Sequence, residues 1–342
     1  MTWLNWRQYR AQFAVGTAIM AALCLLLVLT GLQFVSQYHT IITECASGAH
    51  NGPTSVNCSI GGGLFSGGPT AGFVSLILLA TPVLAGLFLG APMVAAEFEA
   101  GTTEFAWMQG ITRARWFAVK AGWLLLAAAA WGAVIAALTT WWASPTNAEH
   151  GSEFYPGRFD VLYLVPVAYA VFAMALGICA GALIRRTVPA MAVTLGGFIA
   201  ARVAVTLWLR PHYLSPVTVT RSLPAQPQLT GSYWLISQGT RDPAGQLMAG
   251  PQDQPAAFGV PVSSLPKACA GLANPTGGLT SSPTGSLTSS CRAALTGFRS
   301  FVTYQPASRF WPLQWIETGI YLLLAVGLGW VCVWQVRRRR TP

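Results

Sequence analysis

Charged side chains are scarce in this chain: Asp, Glu, Lys and Arg make up only 9% of its 342 residues. Soluble domains usually carry about a quarter charged residues. Lysine is the rarest charged type, and Lys120 and Lys267 both lack the preceding glycine of the phosphate-binding motif GxxxxGK[ST]. The composition therefore excludes an ordinary soluble protein, and the missing motif excludes an ATP-binding loop of the usual kind.

Long apolar runs take the place of the missing charges. A helix needs about 20 apolar residues to cross a bilayer. Four runs of this length carry no charge, a fifth carries only Arg202, and a sixth carries only Glu317. They are residues 13–34, 73–96, 121–142, 161–184, 188–209 and 313–336. The sequence thus predicts an all-α membrane protein with six transmembrane helices.

The distribution of basic residues predicts the orientation, because loops rich in Lys and Arg stay on the cytoplasmic side. With the N-terminus inside, the inner segments hold 11 Lys or Arg in 45 residues and the outer segments hold 8 in 160. The inner segments are 1–12, 97–120, 185–187 and 337–342; the outer ones are 35–72, 143–160 and 210–313. We therefore expect both termini in the cytoplasm, and the basic tail favours lipid headgroups over nucleic acid.

Three parts of the chain follow from this topology. Residues 1–209 comprise helices 1–5, preceded by an N-terminal interfacial helix in which Trp3 and Trp6 alternate with Arg7. Residues 210–312 form a large extracytoplasmic loop or cap between helices 5 and 6, whose ligand the sequence does not reveal. Residues 313–342 contain helix 6 and the cytoplasmic tail. Within the helices, the pairs Gly86/Gly90 and Gly177/Gly181 match the GxxxG pattern of close helix packing.

The cysteines fit the same topology. Three of the seven lie in the spans, where cysteine behaves as a small apolar residue: Cys24, Cys179 and Cys332. The other four lie in outer segments, and their even number favours disulfides, most simply Cys45–Cys58 and Cys269–Cys291. Zinc is the alternative, but CxxC and HxxxH spacings are missing and the four histidines are scattered. We expect no metal in this chain.

One inner segment concentrates charge between the second and third spans. Three glutamates fall within eight positions: Glu97, Glu99 and Glu104. Gly101 interrupts the helix, Thr102 is a suitable N-cap, and Gly110 is a natural helix end. The pattern predicts a short helix that exposes Phe105 and Trp107 and needs a packing partner. A merely solvated charged loop is the alternative; catalysis is a poor explanation, because the loop has no His, Cys or Ser partner for the acids.

Two ionisable residues interrupt the apolar spans. At 1.5 Å per residue, Arg202 and Glu317 both fall in the outer half of the membrane, at depths that their side chains can bridge. A charge facing lipid is costly, so we expect the two to pair and to line a pathway or gate. The alternative is that Arg202 reaches the headgroups and Glu317 is interfacial.

Two stretches carry a resemblance to a known family. The segment Glu97-Phe98-Glu99-Ala100-Gly101-Thr102, followed by Gln109-Gly110-Ile111-Thr112-Arg113, resembles the intracellular loop of ABC-2 type transporter permeases. The later stretch Tyr304-Gln305-Pro306-Ala307-Ser308-Arg309-Phe310-Trp311-Pro312 resembles a form found in actinobacterial permeases of this type. Six spans, an N-terminal interfacial helix and a large loop before the last span match this family as well.

The resemblance implies the membrane-spanning subunit of an exporter for a hydrophobic or amphiphilic small molecule in the cell membrane. It implies a second permease copy, in a homodimer, and separate ATPase subunits that carry ATP and Mg²⁺, so this chain needs no cofactor and no catalytic residue. The residues expected to couple to the ATPase are Glu97, Glu99, Gly101, Thr102, Thr103, Glu104, Phe105, Trp107 and Arg113. The alternatives are a regulatory or sensory membrane protein and an integral membrane lipid-modifying enzyme.

Overall fold

The chain folds into two compact units in its computed structural model. One unit comprises Met1–Tyr213 and Phe310–Pro342, and the other comprises Leu214–Arg309. The residues that the structure describes are 2–46, 69–99, 113–150, 152–154, 157–223, 233–248, 256–257, 260–261, 266–272 and 288–338.

The first unit is helical. Its helices are α1 (Thr2–Ala46), α2 (Pro69–Ala85), α3 (Ala91–Glu99), α4 (Arg113–His150), α5 (Val165–Ile184), α6 (Thr187–Ala204) and α8 (Phe310–Arg338). A π-helical segment, Gly86–Gly90, joins α2 to α3, so these elements form one continuous membrane helix. A second π-helical segment, Val205–Leu209, extends α6 and leads into the 3₁₀ turn Arg210–His212.

Six helices of the described residues are long and apolar enough to cross a membrane. They are Ala14–Gln33, Leu76–Ala96, Phe117–Ser144, Val165–Ile184, Thr187–His212 and Ala307–Gln335. The prediction of six membrane helices is therefore confirmed. The separate interfacial helix is not distinguished, because α1 runs without a break from Thr2 into the first span.

Helix α5 forms the centre of this unit. In its apolar stretch 72% of the residues are buried, against 17% in that of α1, which lies at the periphery. Glycine brings α5 close to the π-helical segment and α3: a Cβ atom on Gly181 would lie 2.6 Å from the carbonyl oxygen of Ala91. A Cβ atom on Gly177 would clash with the carbonyl of Gly86 in the same way. The close packing predicted from the GxxxG pairs is thus confirmed.

The second unit contains β-structure, which corrects the all-α prediction. Its strands are β1 (Val217–Ser222), β2 (Tyr233–Arg241), β3 (Ala256–Ala257), β4 (Val260–Pro261) and β5 (Arg299–Pro306). β5 lies between β1 and β2 in an antiparallel sheet, and β3 pairs with β4. Thr and Val alternate along β1, a pattern typical of strands. A buried apolar cluster includes residues of the short helix α7 (Ser289–Leu295): Leu223, Cys269, Cys291, Leu295 and Phe298.

Candidate functional site

The helical unit buries a cluster of four charged residues and one tyrosine, which come from distant parts of its sequence. We call it the charge cluster; it consists of Asp160, Tyr169, Arg202, Arg210 and Glu317. Asp160 lies in the turn before α5, and Tyr169 lies in the second turn of that helix. The arginines come from α6 and the 3₁₀ turn after it, and Glu317 comes from α8.

Arg210 holds both acids of the cluster. Its Nε donates to Oε2 of Glu317 at 2.9 Å, and its Nη2 donates to Oε1 of the same carboxylate at 2.6 Å. Nη2 also contacts Oδ1 of Asp160. Charge-assisted bonds of this two-pronged form are the stronger kind of side-chain hydrogen bond, and they fix the geometry of both partners.

Arg202 lies closer to Asp160 than to Glu317. Its Nη2 is 2.8 Å from Oδ2 of Asp160, whereas its Nη1 is 3.5 Å from Oε1 of Glu317. The guanidinium carbon stands 4.2 Å from the centre of the Tyr169 ring, in cation–π geometry. The Tyr169 hydroxyl accepts from Arg202 and donates to Glu317, so it connects the two.

The cluster is electrically neutral and almost inaccessible. Two carboxylates face two guanidinium groups, and the Glu317 side chain is 0% exposed. A buried ion without a partner costs several kcal/mol, and removing one partner of a buried pair commonly costs about 3–5 kcal/mol. Each charge is therefore held in place by the others. The arrangement joins α5, α6 and α8 through their polar groups.

The π-helical segment Val205–Leu209 places the two arginines on one side of the helix. Arg202 and Arg210 are eight residues apart, which in a regular α-helix is about 2.2 turns, so their directions would differ by about 80°. A π-turn takes more residues because its hydrogen bonds run from i to i+5. The interval then closes to about two full turns. π-Segments inside helices are frequent at functional sites.

Gln314 orients the turn that carries Asp160. One turn of α8 before Glu317, its Oε1 accepts from the backbone N–H of Val165 at 3.3 Å, and its Nε2 donates to the carbonyl of Phe159 at 3.0 Å. Gln314 is fully buried. The same face of α8 therefore fixes the backbone on both sides of the Asp160 turn and supplies the acid that meets Arg210.

Asp160 lies outside the six apolar spans, and its ionisation follows from its neighbours. Burial disfavours its charged form, but the positive charges of Arg210 and Arg202 outweigh this and hold the pKa of the Asp160 carboxyl below its ordinary value. The carboxylate is therefore charged at neutral pH, as the two arginines require.

The structure brings Arg202 and Glu317 together; their part in a pathway or gate stays a prediction. Asp160, Tyr169 and Arg210 are not among the site residues predicted from the sequence. Asp160 and Arg210 fall in predicted outer segments, although each is directly adjacent in sequence to a predicted span. A charge at such a boundary is the signal that was available for both.

The predicted coupling segment lies mostly outside the described residues, including its short helix at 102–110. Glu97 and Arg113 lie within helices, but their side chains are not among those described. Glu99, the last residue of α3, accepts from the backbone N–H of Thr187 at 3.0 Å and from its hydroxyl at 2.6 Å. The hydrogen bond from the hydroxyl lowers the pKa of the Glu99 carboxyl most, and the bond from the backbone N–H lowers it further.

The structure contains one disulfide that was predicted and one that was not. Cys269 and Cys291 form a disulfide within the second unit. The Cys45–Cys58 pairing stays a prediction, because Cys58 lies outside the described residues. The structure also joins Cys179 of α5 to Cys332 of α8, although both were predicted only as small apolar side chains within the spans. Among the described residues, no group of three or more His, Cys, Asp or Glu side chains is placed to hold a metal ion.

An apolar groove lies between α1, the α2–α3 helix and α4. Its volume is about 740 Å³. This apolar groove is lined by Val15, Gly16, Ile19, Met20, Leu23, Ile77, Thr81, Leu84, Ala85, Phe88, Leu89, Pro92 and Trp131. A second cavity of about 20 Å³ shares Met20, Thr81, Ala85 and Trp131 with the groove and reaches Asp160 and Tyr169.

Six apolar helices, three of which are joined by a buried neutral charge cluster, define a multi-pass membrane protein. The family described as ABC-2 membrane transporter related matches residues 17–210, which is more than half of the chain. The chain belongs to this family, and it is thus a transmembrane permease subunit of an ABC transporter rather than an enzyme. No curated protein and no solved structure matches the chain.

Proposed function

We propose that the chain is the permease of an exporter for hydrophobic or amphiphilic small molecules, driven by a separate ATPase subunit. The family match over residues 17–210 carries this proposal, since permeases of this family generally work with an ATPase subunit. The lack of a GxxxxGK[ST] motif in the sequence supports a motor on another polypeptide. The apolar groove supports a hydrophobic cargo.

The proposed arrangement places both termini in the cytoplasm and two copies of this chain side by side in the cell membrane. The ATPase subunits dock on residues 97–113, and Phe105 and Trp107 supply apolar contact. The asymmetric distribution of Lys and Arg supports this orientation. The bond between Glu99 and Thr187 supports a role for this segment in transmission, because it ties the end of the second membrane helix to the start of α6.

The test is purification of the tagged chain from its native membranes in mild detergent, with identification of the proteins that accompany it. We expect an ATP-binding-cassette protein and ATP-dependent accumulation of a lipophilic dye in inverted vesicles. Replacing both Phe105 and Trp107 with Ala should remove the partner while the chain still inserts. As a matched control, Trp123→Ala changes an exposed aromatic residue inside α4.

A chain that purifies without a nucleotide-binding partner, from vesicles that show no ATP-dependent dye movement, contradicts the proposed function. Dye accumulation in right-side-out vesicles alone contradicts only the direction of transport. Binding of the ATPase by the Phe105→Ala, Trp107→Ala variant at full strength contradicts the docking segment and leaves the permease assignment intact.

A further inference from the structure

We propose that the apolar groove binds an uncharged lipophilic molecule that enters sideways from the bilayer. This inference rests on the proposed function and narrows its substrate class: a permanent charge on the substrate is excluded. It follows from the lining of the groove, from its size, and from the state of the nearest charged residues.

The lining offers a ligand dispersion contacts and hardly any polar partner. None of the lining side chains is ionisable, and only Thr81 and Trp131 carry a polar side-chain atom. The Thr81 hydroxyl already donates to the carbonyl of Ile77 at 2.9 Å, within its own helix. Burying an unpaired polar or charged group is unfavourable, so a ligand gains here through its apolar surface.

The size of the groove suits one small molecule. Its volume of about 740 Å³ falls in the range of about 300–1,000 Å³ that is usual for sites of drug-sized ligands. The neighbouring cavity of about 20 Å³ has room for about one water molecule. The main volume is therefore apolar, and only its small extension reaches a polar group.

The charge cluster supplies no free charge to the groove. Asp160 is the one ionised residue that lines the small cavity, and its carboxylate is engaged by Arg202 and Arg210. A cationic ligand would have to compete with two guanidinium groups already in place. An anionic ligand would meet a carboxylate first. Both lose their hydration without gaining a partner, which leaves uncharged molecules as the class that fits.

The walls of the groove open toward the membrane. Val15 and Ile19 on α1 are 60% and 59% exposed, and Phe88 on the opposite wall is 56% exposed. In a bilayer these side chains face hydrocarbon, so a lipophilic molecule can reach the groove without crossing a polar surface.

Photolabelling of the full chain in phosphatidylcholine nanodiscs tests the inference. The probe is uncharged adamantyl diazirine, compared with the same diazirine bearing a trimethylammonium group and one bearing a carboxylate. We expect saturable labelling of α1 and α2 by the neutral probe, displaced by excess adamantane, and only non-saturable labelling by both charged probes. Mass spectrometry locates the labelled residues.

A matched pair of substitutions on α1 assigns the labelling to the groove. Ile19→Trp narrows it and should weaken the saturable labelling by about tenfold, which corresponds to 1.4 kcal/mol. Leu29→Trp lies on the same helix at similar exposure (53% against 59%), outside the groove lining, and should leave the labelling unchanged. Ile19→Phe is a smaller change that should give an intermediate loss if the Trp variant does not fold.

Three outcomes overturn the inference. Labelling that never saturates means that the groove holds only bilayer lipid. Equal saturable labelling by a charged probe means that the class is wrong, and equal loss in Leu29→Trp means that the site lies elsewhere. The labelling uses neither ATP nor a partner. Saturable binding without any ATPase partner therefore contradicts only the proposed function, and ATPase coupling without saturable binding contradicts only the groove.

Discussion

The guanidinium group of Arg210 contacts both carboxylate oxygens of Glu317, with Nε 2.9 Å from Oε2 and Nη2 2.6 Å from Oε1. The two residues are 107 positions apart, and the whole second unit lies between them in the sequence. Glu317 is fully buried in α8. The pair therefore links the two parts of the helical unit that lie before and after the second unit in the sequence.

Removing one partner of this pair should destabilise the protein strongly. Arg210→Met leaves Glu317 and Asp160 with one cation, so we expect a loss of about 3–5 kcal/mol in the free energy of unfolding. Adding Glu317→Gln restores neutrality and should recover part of that loss. Denaturant unfolding in detergent, followed by tryptophan fluorescence, measures both. Arg221→Met, at an exposed arginine of β1, should change little; a comparable loss there contradicts the role of the buried pair.

The structure changes the expected result of exchanging Arg202 and Glu317. The pairing predicted from sequence implies that Arg202→Glu combined with Glu317→Arg restores function. In the charge cluster, however, Arg202→Glu sets a carboxylate against Asp160, and Glu317→Arg sets a cation against Arg210. We therefore expect the exchange to transport no better than either single variant.

A double substitution that removes one charge of each sign provides the comparison for the exchanged variant. Arg202→Met with Asp160→Asn removes one charge of each sign and leaves the Arg210–Glu317 pair, so it should retain more dye transport and a higher Tm than the exchanged variant. Vesicle transport and thermal unfolding are measured on the same preparations. Restored transport in the exchanged variant would mean that Arg202 and Glu317 pair independently of Asp160 and Arg210.

The sequence predicted the helices better than the cluster, for a physical reason. Runs of about 20 apolar residues determine where helices cross the membrane, and glycine spacing indicates where they pack closely. The position of Arg210 relative to Arg202 depends on a change of helical pitch at Val205–Leu209, and the position of Asp160 depends on a turn fixed by Gln314. No local pattern in the sequence distinguishes a π-helical segment from the α-helix around it. The β-sheet of the second unit was not predicted, because residues 210–312 were assigned as a loop although Thr and Val alternate along β1.

The ionisation of Asp160 predicts how stability depends on pH. Its pKa in the folded protein is lowered from an unfolded value of about 3.9, so its contribution is fully present above about pH 4 to 5 and is lost as the pH falls through the folded value. The Tm difference between wild type and Asp160→Asn should thus be constant from neutral pH to about pH 5 and shrink below about pH 4. A difference that already shrinks between pH 7 and 6 contradicts an arginine-paired Asp160.

The Cys269–Cys291 disulfide should stabilise the second unit. The cysteines are 22 residues apart and both are buried; closing a loop of this length contributes about 3 kcal/mol in the chain-entropy model. Replacing both with Ser should lower the free energy of unfolding of this unit, and reductant should then have no further effect on it. Intact-mass analysis after alkylation counts the bridges, including Cys45–Cys58. Free alkylation of Cys269 and Cys291 without reductant contradicts the pairing.

The bond between Glu99 and Thr187 should transmit motion from the proposed ATPase-docking segment to α6. Arg186, the residue before α6, offers no side-chain cap, so the carboxylate of Glu99 satisfies a free N–H at the start of the helix. Fifteen residues further along, α6 carries Arg202 of the charge cluster. A displacement at the end of α3 therefore reaches the charge cluster through one helix.

Glu99→Gln and Thr187→Val should lower partner-dependent ATP hydrolysis and dye transport together, while Tm changes little because the bond is exposed. Thr187→Ser keeps the hydroxyl and should restore both activities, which a purely steric role of the threonine methyl group would not permit. The ATPase must be assayed with and without the permease, since only the stimulated fraction reports transmission. If Glu99→Gln retains full stimulation, or if Thr187→Ser behaves like Thr187→Val, the coupling does not pass through this bond, and the packing of α6 against α3 and α5, where Ala91, Ala180 and Ala190 meet, is the remaining route.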